Sequence, residues 1–256
     1  MDERGLIDAA NRNYAGSYRK LVEHVDGAAL RETEGIMAFV TGAPLPLFNG
    51  CLVTAPVTPA ELDAALAWLD AYDVPSSLWI QEGFERDLEP GVLERGFVRE
   101  TWAEPAMVLD PPVAVPAAPP GIAVTAVDAP GLEAFLGIGA EGGRPSQAAL
   151  DLFPPTLVDD PEVRLFAVAL HGEPVGTSIA VRTGDVAGIY GVGTSEAARR
   201  RGVGTAATWA AVRAGLEWGC GTIVLQSSEM GFPVYDAMGF RTLLRYVTYV
   251  PAAEGR

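Results

Sequence analysis

The stretch that decides the fold reads VGTSEAARRRGVGT over residues 192–205. It places the end of an apolar strand, a glycine-bearing turn and the start of a helix in immediate succession. The first turn of a helix has backbone N–H groups without an internal partner and carries the positive end of the helix dipole. Gly202 and Gly204 also remove side chains that would block close approach. This turn is therefore predicted to bind a phosphate or diphosphate group.

The charge around the turn supports this prediction. Arg199, Arg200 and Arg201 lie at the start of a window, residues 197–216, that contains no acidic residue, in a chain of formal net charge −15. Guanidinium groups can pair with phosphate oxygens through two hydrogen bonds. From this window alone, a solvated basic turn without a ligand remains the alternative. A nucleotide P-loop is excluded because residues 204–206 read GTA without lysine, and no G-x-G-x-x-G is present here.

The turn lies within a regular series of predicted elements. A hairpin is expected across the polar segment HGEP at residues 171–174, and a second glycine turn precedes the next strand. Gly219 is expected to cap the helix that follows the arginines. The predicted strands are 122–127, 164–170, 175–181, 187–194, 222–226 and 241–250, and the predicted helices are 131–138, 146–152, 199–218 and 233–238.

A proline-rich segment divides the chain. Residues 110–121 contain five prolines in twelve positions, which removes donors that a helix or central strand needs. We therefore predict units at 1–110 and 122–256 joined by a linker at 111–121. The first unit repeats the element order of the second, with strands at 36–41, 47–54 and 77–80, a helix at 59–72 and a short helix at 91–95. Phe97 and Phe240 are 143 positions apart, as are Ala60 and Val203, which favours an internal repeat.

Two motifs together resemble one known family. Residues 192–205 contain R-x-x-G-x-G and resemble motif A of the GNAT acyltransferases, and residues 225–240, LQSSEMGFPVYDAMGF, resemble the family's closing segment. The resemblance covers about residues 121–250. It implies an α+β (mixed α/β) fold, in which a splayed, mostly antiparallel sheet is flanked by helices in two GNAT-like domains. The first domain looks degenerate, because the two prolines in TAPVTP at residues 54–59 delete amides that a phosphate would need. That half is expected to line the acceptor pocket or to cover its partner's sheet.

The resemblance also implies a reaction. The chain is expected to be an acyl-CoA-dependent N-acyltransferase, which transfers acetyl from acetyl-CoA to an amine by direct attack and needs no metal. By the same resemblance, Tyr235 is the general acid that protonates the departing thiolate, since a phenol with a pKa near 10 can supply a proton to a thiol near 8.5. A backbone N–H near Val192 would stabilise the oxyanion. The implied cofactor-binding residues are Val192, Gly193, Thr194, Arg199, Arg200, Arg201, Gly202, Val203, Gly204, Thr205, Ser228 and Tyr235.

Two questions stay open at this stage. Ser228 stands where the family often has a cofactor-contacting asparagine, and Gly188 and Tyr190 stand on the strand where many relatives show a glutamate base. Glu141 or a chain of water molecules is therefore the candidate general base. A non-catalytic acyl-CoA-binding sensor is the alternative function, and a structural interaction module is a third.

Composition limits the partners. A formal net charge of −15 and a pI of about 4.5 argue against nucleic acid or an anionic membrane as the main partner and favour a cationic substrate, although acidity also serves solubility. A small-molecule or peptide amine is the expected acceptor. The two cysteines and two histidines, Cys51, Cys220, His24 and His171, are too scattered for a disulfide framework or a zinc site. No apolar run of membrane-spanning length and no secretion signal are visible, so a cytoplasmic location is expected.

Overall fold

The computed structural model describes residues 1–110, 114–140 and 143–252. Short 3-10 helices over Pro46–Phe48, Ala129–Gly131 and Glu196–Ala198 join some of the longer elements. In chain order, the helices and strands are α1 (Glu3–His24), β1 (Ala29–Thr33), β2 (Ile36–Val40), β3 (Asn49–Val53), α2 (Pro59–Asp70), β4 (Ser77–Gln81), α3 (Glu89–Glu94), β5 (Phe97–Arg99), β6 (Glu104–Leu109), β7 (Ile122–Ala126), α4 (Leu132–Gly137), α5 (Gln147–Leu152), α6 (Pro155–Val158), β8 (Val163–Leu170), β9 (Glu173–Thr183), β10 (Val186–Thr194), α7 (Val203–Glu217), β11 (Thr222–Gln226), α8 (Phe232–Ala237) and β12 (Arg241–Pro251).

The strands form one twelve-stranded sheet in the order β1-β2-β3-β4-β12-β6-β11-β10-β9-β8-β7, with β5 paired to β12. Among the described strands, only β3 with β4 and β10 with β11 are parallel pairs, and helices α2 and α7 make these two crossovers. All other neighbours are antiparallel. The predicted α+β fold with a mostly antiparallel sheet flanked by helices is confirmed.

Strands from the two halves of the chain alternate at the centre of the sheet. Strand β6 of the first half lies between β11 and β12 of the second half, and β12 in turn lies between β6 and β4. At one position Ala106 has Gln226 as its register partner on one side and Leu244 on the other. The sheet is therefore continuous across both halves. The division at 1–110, 111–121 and 122–256 stays a prediction, and positions 111–113 of its linker lie outside the described residues.

Helix α1, which the sequence reading did not predict, covers one face of this central region. Asp2 caps it by accepting a hydrogen bond from the Gly5 amide at 2.8 Å. Its buried positions follow helical spacing, and Leu6 packs with Val108, Val186 and Val224 of three neighbouring strands. The periodic signal was present but was obscured by the many polar side chains on its outer face. The buried residues of α1 are Leu6, Ala9, Ala10, Asn13, Tyr14, Gly16 and Tyr18.

Helix α7 covers the opposite face of the second half and begins later than predicted. The sequence predicted a helix from Arg199 to Trp218, whereas α7 runs from Val203 to Glu217. The start was wrong because Arg200 and Gly202 have left-handed backbone conformations, with φ of 61° and 83°, which a right-handed helix cannot contain. Gly219, with φ of 79°, follows the helix as predicted. No helix of the described residues is long and apolar enough to cross a membrane.

Candidate active site

The parallel strands β10 and β11 separate along their length. They pair from Val186 to Ile189, and β10 then continues to Thr194 beside β9 only. The register between β10 and β9 shifts between Tyr190 and Gly193, and the skipped Gly191 has φ of 56°. Such a bulge bends a strand away from its neighbour. The separation opens the sheet at the point where the glycine- and arginine-rich turn begins.

A cleft of about 590 Å³ occupies this opening. We call it the turn cleft. One wall is the edge of β10 with the turn at residues 199–205, and the other wall is α8 with the segment before it. The lining residues are Val192, Gly193, Thr194, Arg199, Arg200, Gly202, Val203, Gly204, Thr205, Ser228, Met230, Gly231, Val234 and Tyr235. All the predicted cofactor-binding residues except Arg201 therefore come together here.

The backbone of the turn is arranged to receive an anion. The amide of Ala206 bonds to the Gly202 carbonyl at 3.0 Å, so the amides of Val203, Gly204 and Thr205 precede the first hydrogen bond of α7. No side chain caps this helix, and no acidic residue lies in its first turn. A Cβ at Gly204 would meet only the Thr194 hydroxyl, at 3.5 Å, so a ligand can approach the amides closely. This arrangement fits a diphosphate.

The start of α2 in the first half is the opposite case. Thr58 accepts a hydrogen bond from the Glu61 amide at 3.3 Å, and the Glu61 carboxylate accepts one from the Thr58 amide at 2.7 Å. Pro59 contributes no N–H. This capping box satisfies the amides and places a negative charge where a phosphate would bind. Helices α2 and α7 each connect a pair of parallel strands, and of these two helices only α7 leaves its first backbone amides available to a ligand.

The arginines of the turn differ in position. Arg199 and Arg200 line the turn cleft, whereas Arg201 is exposed outside its lining. None of the three forms an ion pair within the part of the chain that the structure describes. Two guanidinium groups are therefore available to a bound phosphate.

A second cavity, of about 350 Å³, lies on the α1 side of the sheet opening. We call it the inner pocket. Most of its wall is apolar or aromatic. Lys20 is its only cationic lining residue among those described, and the carboxylates of Asp160 and Glu162 bind its amine at 3.0 and 2.8 Å. The lining residues are Tyr14, Ser17, Tyr18, Lys20, Leu21, Leu47, Phe48, Glu104, Phe153, Leu157, Val163, Ile179, Val181, Ile189, Tyr190, Gly191, Val192, Gln226, Ser227, Ser228 and Tyr235.

The turn cleft and the inner pocket meet at Val192, Ser228 and Tyr235, which line both. Tyr235 lies on α8 and is 8% exposed. Burial raises the pKa of its phenol to about 12, so the phenol keeps its proton at neutral pH. The Ser228 hydroxyl accepts a hydrogen bond from the Gly231 amide at 3.2 Å and so stabilises the start of α8. A proton donor thus lies at the junction of the two cavities.

Glu104 is the site residue that the sequence reading missed. It opens strand β6, lines the inner pocket, and has a pKa raised to about 7 by burial and by the nearby charge of Glu100. The charge of Glu104 in turn contributes to the raised pKa values of the buried phenols of Tyr14, Tyr18 and Tyr246. Its sequence signal is a carboxylate at the start of the apolar run EPAMVL, just before the proline-rich segment. The alternative candidate base, Glu141, lies outside the described residues.

Residues 138–240 match the family model described as the Acetyltransferase (GNAT) family. The chain carries a GNAT domain. Its motif turn and Tyr235 lie within the matched segment, whereas α1 and Glu104 lie outside it. Both belong to the first half, which therefore contributes part of the wall of the inner pocket beside the GNAT domain.

Solved structures support the GNAT fold over nearly the whole chain. A GCN5-related N-acetyltransferase from Kribbella flavida superposes with a TM-score of 0.69 at 20% identity, covering 95% of this chain and 96% of that chain. A tandem GNAT protein from the clavulanic acid biosynthesis pathway gives a TM-score of 0.59 at 16% identity, covering 91% and 86%. A functionally unknown protein from Staphylococcus epidermidis gives 0.63 at 13% identity, covering 89% and 95%. No curated protein sequence matches this chain.

Proposed function

We propose that this protein is an acyl-CoA-dependent N-acyltransferase that transfers acetyl from acetyl-CoA to a primary amine. The observation that carries the proposal is the junction of the two cavities at Tyr235: one cavity has free helix-start amides and arginines, and the other has a carboxylate with a raised pKa. The two cavities give a cofactor and an acceptor separate approaches to one point. The GNAT domain supports this class of reaction.

The turn cleft fits coenzyme A. The amides of residues 203–205 and the side chains of Arg199 and Arg200 would hold the diphosphate, by hydrogen bonds and charge. The edge of β10 at Val192 and Thr194 that faces away from β9 would hold the pantetheine arm, since the pairing of β10 with β11 ends at Ile189. Bound acetyl-CoA supplies a thioester whose acyl carbon the amine attacks and whose sulfur leaves as a thiolate.

Tyr235 acts as the general acid in this proposal. Its phenol is protonated at neutral pH because burial raises its pKa. As the carbon–sulfur bond breaks, the phenol donates its proton to the thiolate, and the free thiol of coenzyme A is the product. Because Tyr235 lines both cavities, it lies where the sulfur of the thioester and the acceptor amine would meet.

Glu104 acts as the general base. An amine must lose a proton before or as it forms the amide bond, and a carboxylate with a pKa of about 7 can accept that proton at neutral pH. The pKa values of Glu104 and Tyr235 are both raised from their ordinary values, yet they stay far apart. One group is therefore mostly ionised and the other protonated near pH 7.5, as a base and an acid must be.

The presence of both groups favours an enzyme over an acyl-CoA-binding sensor. The deciding experiment follows thiol release from acetyl-CoA with a panel of primary amines, alongside calorimetric binding of acetyl-CoA. We expect binding and amine-dependent thiol release in the wild type, and binding without rapid release in Tyr235→Phe. Binding with no release for any amine would identify a sensor, and no binding at all would contradict the assignment of the turn cleft.

A further inference from the structure

A third cavity, of about 330 Å³, adjoins the inner pocket. We call it the side cavity. It shares Leu47, Glu104 and Ser228 with the inner pocket, so Glu104 lies at the boundary between the two. Its lining comes from β4 and β12, from residues 46–47, from the segment that joins β5 to β6, and from residues 228–229.

The side cavity has a negative lining. Glu100, Glu104 and Glu229 all contribute to it, and no lysine or arginine of the described chain does. The Glu100 amide donates a hydrogen bond to the Thr248 carbonyl at 2.9 Å, which holds Glu100 beside β12. The mutual repulsion of Glu100 and Glu104 contributes to the raised pKa of Glu104. A bound cation would relieve this repulsion.

Unpartnered polar groups provide a second, independent observation. The indole N–H of Trp79 and the hydroxyl of Thr248 are buried and have no hydrogen-bond partner among the residues that the structure describes. Trp79 is 1% exposed and Thr248 6%. The two residues are register partners in β4 and β12, so their side chains share one face of the sheet, and both line the side cavity.

These groups specify the chemistry of a ligand. An indole N–H can only donate, so its partner must be an acceptor oxygen or nitrogen of the ligand. A carboxylate oxygen would be repelled by the three glutamates, so an uncharged acceptor such as a hydroxyl or an amide carbonyl suits this position. With Glu104 facing the reacting amine, Glu100 and Glu229 remain to balance a further positive group.

We propose that the side cavity is the acceptor subsite and that it selects a small diamine bearing an uncharged oxygen. One amine extends past Glu104 into the inner pocket, the oxygen accepts from Trp79 and contacts Thr248, and the second ammonium lies between Glu100 and Glu229. This inference rests on the proposed acyltransferase function. It adds a substrate class that the GNAT match does not specify.

Three matched probes test the proposal: 1,3-diamino-2-propanol, 1,3-diaminopropane, which lacks the oxygen, and 1-amino-2-propanol, which lacks the second amine. Their dissociation constants are measured by calorimetry on the protein saturated with coenzyme A, and their KM and kcat by thiol release from acetyl-CoA. We expect 1,3-diamino-2-propanol to bind at least about fivefold more tightly than either of the others.

Variants assign the contacts. The double variant Glu100→Gln with Glu229→Gln keeps side-chain shape at two exposed positions, and it should remove the advantage of the second amine without changing acetyl-CoA affinity. Thr248→Val should lower the advantage of the hydroxyl, because only the Trp79 N–H then remains to bind it, and should leave the advantage of the second amine unchanged. Glu133→Gln is the matched control, because Glu133 is exposed on α4 and lines none of the three cavities.

The outcomes separate this inference from the function on which it rests. Thiol release with other amines, together with equal affinities for the three probes or no binding of any of them, would overturn the subsite and leave the acyltransferase standing. A preference for the second amine that survives in the double variant, or a preference for the hydroxyl that is unchanged in Thr248→Val, would also overturn it. Failure of acetyl-CoA to bind would overturn both proposals.

Discussion

The hydroxyl of Tyr190 donates a hydrogen bond to the side-chain oxygen of Asn13 over 2.6 Å, which ties helix α1 to strand β10 beside the sheet opening. The Asn13 amide group in turn donates to the carbonyl of Val181 at 3.1 Å. Gly188 makes this contact possible, because a Cβ there would lie 1.8 Å from the Asn13 oxygen. Two residues from different halves of the chain thus fix the wall of the inner pocket.

Asn13→Ala should destabilise the protein strongly. Asn13 is fully buried, and its loss would leave the Tyr190 hydroxyl only the longer hydrogen bond, at 3.2 Å, to the backbone carbonyl of residue 13 and remove the bond to Val181. We expect a loss of about 3 kcal/mol in the free energy of unfolding, measured by denaturant titration. Arg12→Ala is the control, because Arg12 is the exposed neighbour of Asn13 on the same helix. Equal stability of the two variants would show that the hydrogen bonds of Asn13 do not hold α1 in place.

Tyr235→Phe should lower kcat by about 100-fold and leave the acetyl-CoA dissociation constant nearly unchanged, because it removes a proton donor and little volume. Single-turnover thiol release and calorimetry measure the two quantities. Tyr72→Phe, which changes an exposed tyrosine outside the three cavities, should behave as the wild type. A wild-type kcat in Tyr235→Phe would assign the proton transfer to another group.

Glu104 should impose a pH dependence on the reaction. Because its pKa is raised to about 7, it is protonated and inactive as a base at lower pH, so kcat/KM should fall as the pH drops through about 7. Glu104→Gln should lower kcat/KM and abolish this inflection, while any inflection from the amine substrate remains. An unchanged inflection near pH 7 in Glu104→Gln would contradict the role of Glu104.

The same pKa shift predicts an effect on stability. The folded state binds a proton at Glu104 more tightly than the unfolded chain, whose glutamate pKa is about 4.3. Its contribution to stability is therefore fully present below about pH 4.3 and is lost as the pH rises through about 7. The Tm of Glu104→Gln relative to the wild type should consequently increase from pH 5 to pH 8. A difference in Tm that is independent of pH would show that the carboxyl is not perturbed.

Gly204→Val should weaken acetyl-CoA binding by at least about tenfold, or ~1.4 kcal/mol, by placing a side chain over the amides of the turn. Gly204 is a better position than Gly202, whose φ of 83° would add backbone strain to any substitution. Ala210→Val on the same helix is the control for adding a branched side chain to α7. Calorimetric titration with acetyl-CoA measures the change, and unaltered affinity in Gly204→Val would place the diphosphate elsewhere.

The second half of the fold was predictable from sequence because its signals are local. Glycine-bearing turns at residues 171–172 and 184–185 separate β8, β9 and β10, and the motif turn identifies the start of α7 to within four residues. The same motif identified most of the turn cleft. Arg201 was the exception: it does not line the cleft, and a run of three arginines does not reveal which of them face a ligand.

The acceptor side was not predictable, because its residues are brought together by long-range pairing. Glu104 reaches the site only because β6 of the first half inserts between β11 and β12 of the second. Asn13 and Tyr14 reach it through α1, where Leu6 packs against Val108, Val186 and Val224, more than 100 residues away along the chain. No spacing within either half encodes these contacts, and the family match at residues 138–240 covers neither segment.

The most direct test of the account is a crystal structure of the protein with bound acetyl-CoA. We expect the diphosphate at the amides of residues 203–205 with Arg199 and Arg200 beside it, and the thioester at the junction of the turn cleft and the inner pocket, next to Val192 and Tyr235. Density for the diphosphate at the capped start of α2, or a thioester remote from Tyr235, would contradict it.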